Sequence, residues 1–307
     1  MNKPATYAKH DPATAIAGLF RPLRRGERRE AKLDISVTFN RATLRFIGFE
    51  PLGIDDEDVL LAVLAEAGLD GKTLDPSPSG PVGQALVQAL KPTGTARSAR
   101  RIMVTTTVYR IISNIGLTQS GGNYVQVKAS LVRLANFQMV ITTSDGSTQE
   151  NLLAYMEHSD GTLRVAVNHA LAAAILGQLQ YVIISLQERR TLTSASAKAL
   201  HSWLSATIRP GATQKSNLDK LANHVWGQST NNACARKRKQ RLLASLQQIA
   251  QLPGWRVTRT RDTVSIKRPV IENNPGATTG VTVTDYRSNG HTRSRVTPCI
   301  NRVNPSF

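Results

Sequence analysis

In the last third of the chain the apolar positions change period. Leu242, Leu243, Leu246 and Ile249 recur at helical spacing, and Arg236-Lys237-Arg238-Lys239-Gln240-Arg241 runs straight into them. A basic cluster therefore forms the first turns of an amphipathic helix. The period then drops to two. Trp255 to Thr260 and Thr263 to Arg268 alternate on either side of Arg261-Asp262, which predicts a β-hairpin carrying Arg256, Arg259, Arg261, Lys267 and Arg268. Upstream, Thr193 to Ile208 and Asn217 to Trp226 each read as helices. Helix, helix, basic helix and basic hairpin is the order of a winged helix, with a recognition helix for the major groove and a wing for the backbone.

A weaker copy of this order comes earlier. Thr107 to Ile115 and Tyr124 to Ala135 read as helices joined by a turn and cap at Ser120 to Asn123, and Phe137 to Thr143 and Leu152 to Glu157 flank a turn at Ser144-Asp145-Gly146. Tyr124, Val127, Leu131 and Leu134 mark the buried side of the second of these helices, which leaves Gln126, Lys128, Ser130 and Arg133 outward. With Lys128 and Arg133 as its cations, this unit should grip DNA less strongly. It can serve instead as a dimerisation unit, which makes a homodimer an alternative assembly. Asp34 to Asn40 and Ala42 to Phe49 alternate as a strand pair, and Leu163 to Val167 and Tyr181 to Leu186 read as strands around the Ala-rich helix Asn168 to Leu176.

The expected architecture is α+β, with two tandem winged-helix domains. A basic N-terminal arm occupies 1–30, a first winged-helix-like domain 31–177, a second, DNA-binding winged helix 178–269, and a disordered basic tail 270–307. The tail is rich in Asn, Gly, Thr and Ser and lacks the apolar periodicity of a core. In the arm, Arg21, Arg24, Arg25, Arg28 and Arg29 lie close together; charge alone favours a solvated arm over a DNA-contacting one.

Composition narrows the partner. A formal charge of +18 and a pI near 10.6 point to a polyanion. Aromatic residues make up 5% of the chain and no aromatic-rich strand offers a stacking platform, so duplex DNA fits better than RNA. The richest apolar stretch, Leu163 to Ser185, is interrupted by Arg164, Asn168, His169, Gln178 and Gln180, which argues against a membrane span and for a cytoplasmic protein.

Candidate chemistry is sparse. Cys234 and Cys299 form no CxxC and no zinc spacing, and the six histidines include no His-x-His pair. Gly71-Lys72-Thr73 resembles the end of a P-loop, but Glu66 stands where the first glycine is required, so no nucleotide cofactor is expected. Asp55-Asp56-Glu57-Asp58 heads the helix Val59 to Ala67 and reads as a cap that complements the helix dipole rather than as a metal site. The chain therefore reads as a binding protein without catalytic residues, metal or cofactor.

Lys9-His10-Asp11-Pro12, the run Gly18 to Arg29 and Lys32-Leu33-Asp34 resemble the opening of the RepC replication initiators of IncQ-type plasmids. The basic helix and the hairpin ending in Arg268-Pro269 resemble the same family, and the likeness runs from about Lys9 to Pro269. It tips the arm toward DNA contact. It implies binding to double-stranded iteron repeats at a plasmid origin, and origin opening helped by a separate plasmid-encoded helicase and primase. Projecting the helix back from its buried stripe makes Arg236, Lys237, Gln240 and Arg241 the base-contact candidates and leaves Arg238 and Lys239 at the edge for phosphates. The competing readings are a transcriptional repressor on a palindromic operator and a metal-dependent nicking enzyme.

Overall fold

The computed structural model describes residues 4–227 and 232–271. The first elements are β1 (Tyr7–His10), α1 (Pro12–Ile16), α2 (Glu27–Glu30), β2 (Leu33–Phe39) and β3 (Ala42–Gly48), leading into α3 (Ile54–Asp70). The first unit continues with β4 (Lys72–Leu74), α4 (Pro81–Leu90), β5 (Arg101–Thr107), α5 (Val108–Ile115) and α6 (Gly121–Ala135). It ends with β6 (Gln138–Thr143), β7 (Gly146–Asn151), β8 (Leu153–Glu157), β9 (Thr162–Val167) and α7 (His169–Ile175). The second unit comprises β10 (Val182–Ser185), α8 (Leu186–Thr191), α9 (Ala195–Thr207), β11 (Thr213–Asn217), α10 (Leu218–Trp226), α11 (Asn232–Ala250), β12 (Arg256–Thr260) and β13 (Thr263–Lys267).

One connectivity occurs twice. In the second unit the order is α9, β11, α10, α11 and the β12–β13 hairpin, with sheet order β11-β13-β12. In the first unit α3, β5, α5, α6 and the β8–β9 hairpin follow the same path, with β9 between β5 and β8 and the short β4 added beyond β5. What differs is an insertion. Between α6 and β8 the first unit carries the β6–β7 hairpin, which joins β2 and β3 in a separate sheet of order β2-β3-β6-β7. The strand expected at Leu152 to Glu157 thus does not close the hairpin that begins at Phe137. Gly146–Asn151 closes it, and Leu153–Glu157 pairs with β9 instead. The sequence Gly-Ser-Thr-Gln-Glu-Asn of β7 has no apolar alternation, so its pairing is set by its neighbours rather than by a pattern of its own.

The core is continuous across the two units. Its axis is α3, buried from Ile54 to Ala67 except for the half-buried Asp55, as expected of a helix that is apolar around most of its circumference. The segment expected to be a free arm is part of this core. Ala5, Ala8, Ala13, Leu19 and Phe20 are buried, β1 packs on α3, and β1 pairs antiparallel with β10 of the second unit from Tyr7↔Ser185 to His10↔Val182. That pairing spans about 175 positions of sequence and no local periodicity reports it. The tail expected at 270–307 lies outside the described residues except for Val270 and Ile271.

Candidate nucleic-acid interface

α11 is held by the stripe that the periodicity marks. Leu242, Leu246 and Ile249 are buried and Leu243 is half-buried against the core, at about 1.5–3 kcal/mol for each fully buried side chain. On the opposite side Arg236, Lys237, Gln240 and Arg241 are exposed. Arg238 and Lys239 are half-buried at the edge and already engaged. Arg238 Nη1 donates to the Gly227 carbonyl at 2.8 Å, and Lys239 Nζ reaches Asp262 Oδ1 at 2.5 Å in the hairpin turn. The hydrogen bond from Lys239 holds the Asp262 carboxyl below the usual range. The recognition-type helix and the turn beside it are thereby fixed to each other.

The hairpin turns through Arg261, at φ 55°, and Asp262. Directly paired residues of antiparallel strands share a face. Val257 opposite Ile266 and Arg259 opposite Val264 therefore face the helices, while Arg256 opposite Lys267 faces away. Arg259 is exposed near the turn, where its Nε donates to the Arg261 carbonyl at 2.7 Å. The five hairpin cations thus do not form one surface. Arg259 and Arg261 cluster at the tip, whereas Arg256 and Lys267 lie on the outer face together with Lys215 of β11, whose partner is Ser265. Sequence reasoning missed Lys215 because Thr-Gln-Lys-Ser-Asn offers no apolar alternation.

Arg268 is a correction. It is 5% exposed, and its guanidinium donates to the carbonyls of Ser205 and Ile208 at the end of α9 and to that of Ile183 in β10. Burial lowers its pKa to about 10. It closes orphan carbonyls at a helix C-terminus and is not available to DNA. The signal was present: Val264, Ile266 and Arg268 follow one another at period two, so Arg268 continues the inward row.

The acidic run at the head of α3 accounts for further corrections. The fully buried Asp56 accepts from the Gly53 N–H at 2.7 Å, which is the capping role expected of it. It also takes Arg28 at 2.9 Å and Arg133 at 2.8 Å, while Asp55 takes Arg28 at 2.7 Å. Glu57 and Asp58 both hold Arg189 of the second unit at 2.6 Å, and Asp58 also holds Lys198 at 2.8 Å. Burial pushes the Glu57 carboxyl upward, with the Arg189 guanidinium acting against it. Arg28 and Arg133, both read as DNA contacts, are thus internal ion-pair partners. Ser130, read as outward, is buried and accepts from Arg133 Nη2 at 2.9 Å. No spacing rule could pair residues so far apart in sequence.

Of the other N-terminal arginines, Arg21 is tied to Glu27 at 2.5 Å, while Arg24, Arg25 and Arg29 are exposed. On α6, which holds the place of α11 in the repeated order, Lys128 pairs with Glu157 at 2.7 Å and Gln126 is exposed beside Val125 and Val132. Among the described residues no group of three or more His, Cys, Asp or Glu is placed to hold a metal ion, and no helix is long and apolar enough to cross a membrane.

This geometry defines a mixed α+β chain of two topologically similar units with several small antiparallel sheets, one unit bearing a basic helix and hairpin tip. The fold is similar to that of domains 2 and 3 of RctB, with a TM-score of 0.50 and 14% identity over 85% of this chain and 99% of that one. A second structure of RctB domains 2–3 gives a TM-score of 0.50 and 12% identity over 84% of this chain and 96% of that one. The replication protein C (RepC) family model matches residues 2–270, and the chain belongs to that family of plasmid replication proteins. No curated protein sequence matches it.

Proposed function

We propose that this chain initiates plasmid replication by binding double-stranded iteron repeats at the origin in a sequence-specific manner and promoting their opening together with a separate helicase and primase. The two units, 31–177 and 178–269, act as tandem winged-helix domains. α11 enters a major groove with Arg236, Lys237, Gln240 and Arg241 toward base edges, and Arg259 and Arg261 at the wing tip reach phosphates. The single observation that carries this reading is the exposed quartet on α11, opposite a buried leucine stripe and locked to the wing turn through Lys239 and Asp262.

The chemistry fits the assignment. Arginine grips guanine O6 and N7 and glutamine pairs with adenine, at about 1–3 kcal/mol of discrimination each. Two such helices on one chain can read grooves about one helical turn, ~34 Å, apart, so a single chain can cover a long asymmetric site. The energy for opening then comes from binding and deformation of the duplex. No residue is assigned a catalytic role. Footprinting on the plasmid that encodes the chain tests the reading: direct repeats at the origin are expected, and a lone operator dyad would replace initiation with repression.

A further inference from the structure

From the register of the β11-β13-β12 sheet we infer that its outer face is a second DNA-binding surface, which holds the phosphate backbone of a duplex segment other than the one on α11. The helices contact this sheet through β11 and β12, and the inward Val264 and Ile266 are buried. Lys215, Arg256 and Lys267 stand on the reverse side. A duplex seated on α11 and the wing tip therefore cannot also be reached by these three cations.

The composition of the face identifies its ligand. Arg256 and Lys267 are directly opposite each other, an arrangement of like charges that destabilises a sheet unless an anion sits between or above them. None of the three cations has an ion-pair partner among the described residues, and all three are exposed. Around them lie Thr213, Thr258 and Ser265, which add hydroxyl donors. No carboxylate and no apolar side chain occupies a strand position on this face. Donors and cations of one sign on a flat surface match phosphodiester oxygens and carry no base code. The face also has no aromatic residue on which unpaired bases could stack, which favours duplex over single strand. The inference goes beyond the reading of α11, and the two fail separately.

The test uses the full chain with donor-labelled and acceptor-labelled short random-sequence duplexes, where energy transfer reports two duplexes on one assembly and titration gives duplexes per chain. The parent should bring two duplexes together. Combined Lys215→Ala, Arg256→Ala and Lys267→Ala should retain one duplex per chain, lose the transfer signal, weaken the second duplex roughly tenfold and lower its salt slope by about 3. The milder Lys215→Glu should weaken the second duplex in the same direction, with an unchanged melting temperature excluding misfolding. Transfer that survives in the triple variant would assign bridging to chain dimers and overturn the inference, as would displacement of the second duplex by a single-stranded oligothymidine at lower concentration than by duplex. Arg236→Ala with Arg241→Ala, by contrast, should alter the first site and leave the second in place.

Discussion

α6 and α11 occupy the same place in a repeated topology and present opposite surfaces. α11 exposes Arg236, Lys237, Gln240 and Arg241, whereas α6 exposes Val125, Gln126 and Val132, with Lys128 neutralised by Glu157. The hairpins differ in the same sense. The second unit's hairpin turns through Arg261 and spends its one acid, Asp262, on Lys239, while the first unit's turns through His158-Ser159-Asp160-Gly161 with Glu157 beside it. The same topology therefore does not fix what a helix presents; the side chains placed on it do. A second contrast cuts across the first. Arg28, Arg133, Arg189 and Arg268 belong to the same basic composition as the α11 quartet, yet they are spent on carboxylates and carbonyls of the protein itself, and Arg189 ties the second unit to α3.

The largest effects should come from these internal arginines. Arg189→Ala leaves the buried Glu57 without its guanidinium and Asp58 with Lys198 alone, at about 3–5 kcal/mol, and Arg268→Ala strands three carbonyls at about 2–3 kcal/mol. Lys267→Ala, one residue away and exposed, should stay within about 0.5 kcal/mol. Urea unfolding of the three variants decides it, and equal losses at Arg268 and Lys267 would dissolve the distinction between internal and surface cations.

Acid should come next. Burial lowers His10 to about 3 and His224 to about 4, from 6.5. Both are neutral in the folded chain and take up protons on unfolding, so stability is full above about pH 6.5 and falls as pH drops toward those values. At pH 5 each should cost about 2 kcal/mol relative to pH 7.5. His224→Gln should flatten the decline in melting temperature between pH 7 and pH 5 by roughly half; an unchanged slope would mean that His224 is already protonated in the folded state.

Between the two helices the expected difference is one of specificity. Arg236→Ala or Arg241→Ala should lose about 1–3 kcal/mol of preference at particular base pairs, and Gln126→Ala or Lys128→Ala less than about 1 kcal/mol. Titrations on the footprinted repeat and its single-base substitutions measure this. A larger loss from α6 than from α11 would reverse the order of the two units.

The part of this contrast that was legible from sequence is the part that local period encodes. The α11 stripe, its exposed quartet, the half-buried Arg238 and Lys239 and the two-residue turn all follow from spacing. Period two also held the signal that Arg268 turns inward, but its charge led to its being read as a DNA contact. What spacing could not show is set at long range. The β1–β10 pairing, the capture of Arg28 and Arg133 by Asp56, and the polar strands β7 and β11 depend on neighbours far along the chain. The packing of residues 5–20 also decides what a deletion of the N-terminal segment would test. Deleting it removes Leu19 and Phe20 from the core and tests folding rather than DNA contact.

Smaller and sequence-independent effects should come from the wing tip. Arg259→Ala with Arg261→Ala should lower affinity for every duplex and reduce the salt slope by about 2, that is, about 0.9 for each lost phosphate contact. Loss of preference at single base pairs in this variant would make the hairpin tip a reader rather than a backbone clamp.

The smallest expected effect separates two neighbours in the N-terminal segment. Arg29 is exposed, and Arg28 is bound to Asp55 and Asp56. If the exposed arginines of this segment touch phosphate, Arg29→Ala should reduce the salt slope by about 1 with no change in urea midpoint. Arg28→Ala should do the reverse, because it removes a partner from the buried Asp56 and leaves the exposed charge of Arg24, Arg25 and Arg29 in place. Arg133 still pairs with Asp56 in that variant, so its loss of stability should fall below that of Arg189→Ala, where Glu57 is left without its guanidinium. Binding across several salt concentrations together with unfolding of both variants gives a two-by-two outcome. An Arg29→Ala variant with unaltered affinity and slope would confine DNA contact to the second unit and leave the N-terminal segment as a structural tie between the two.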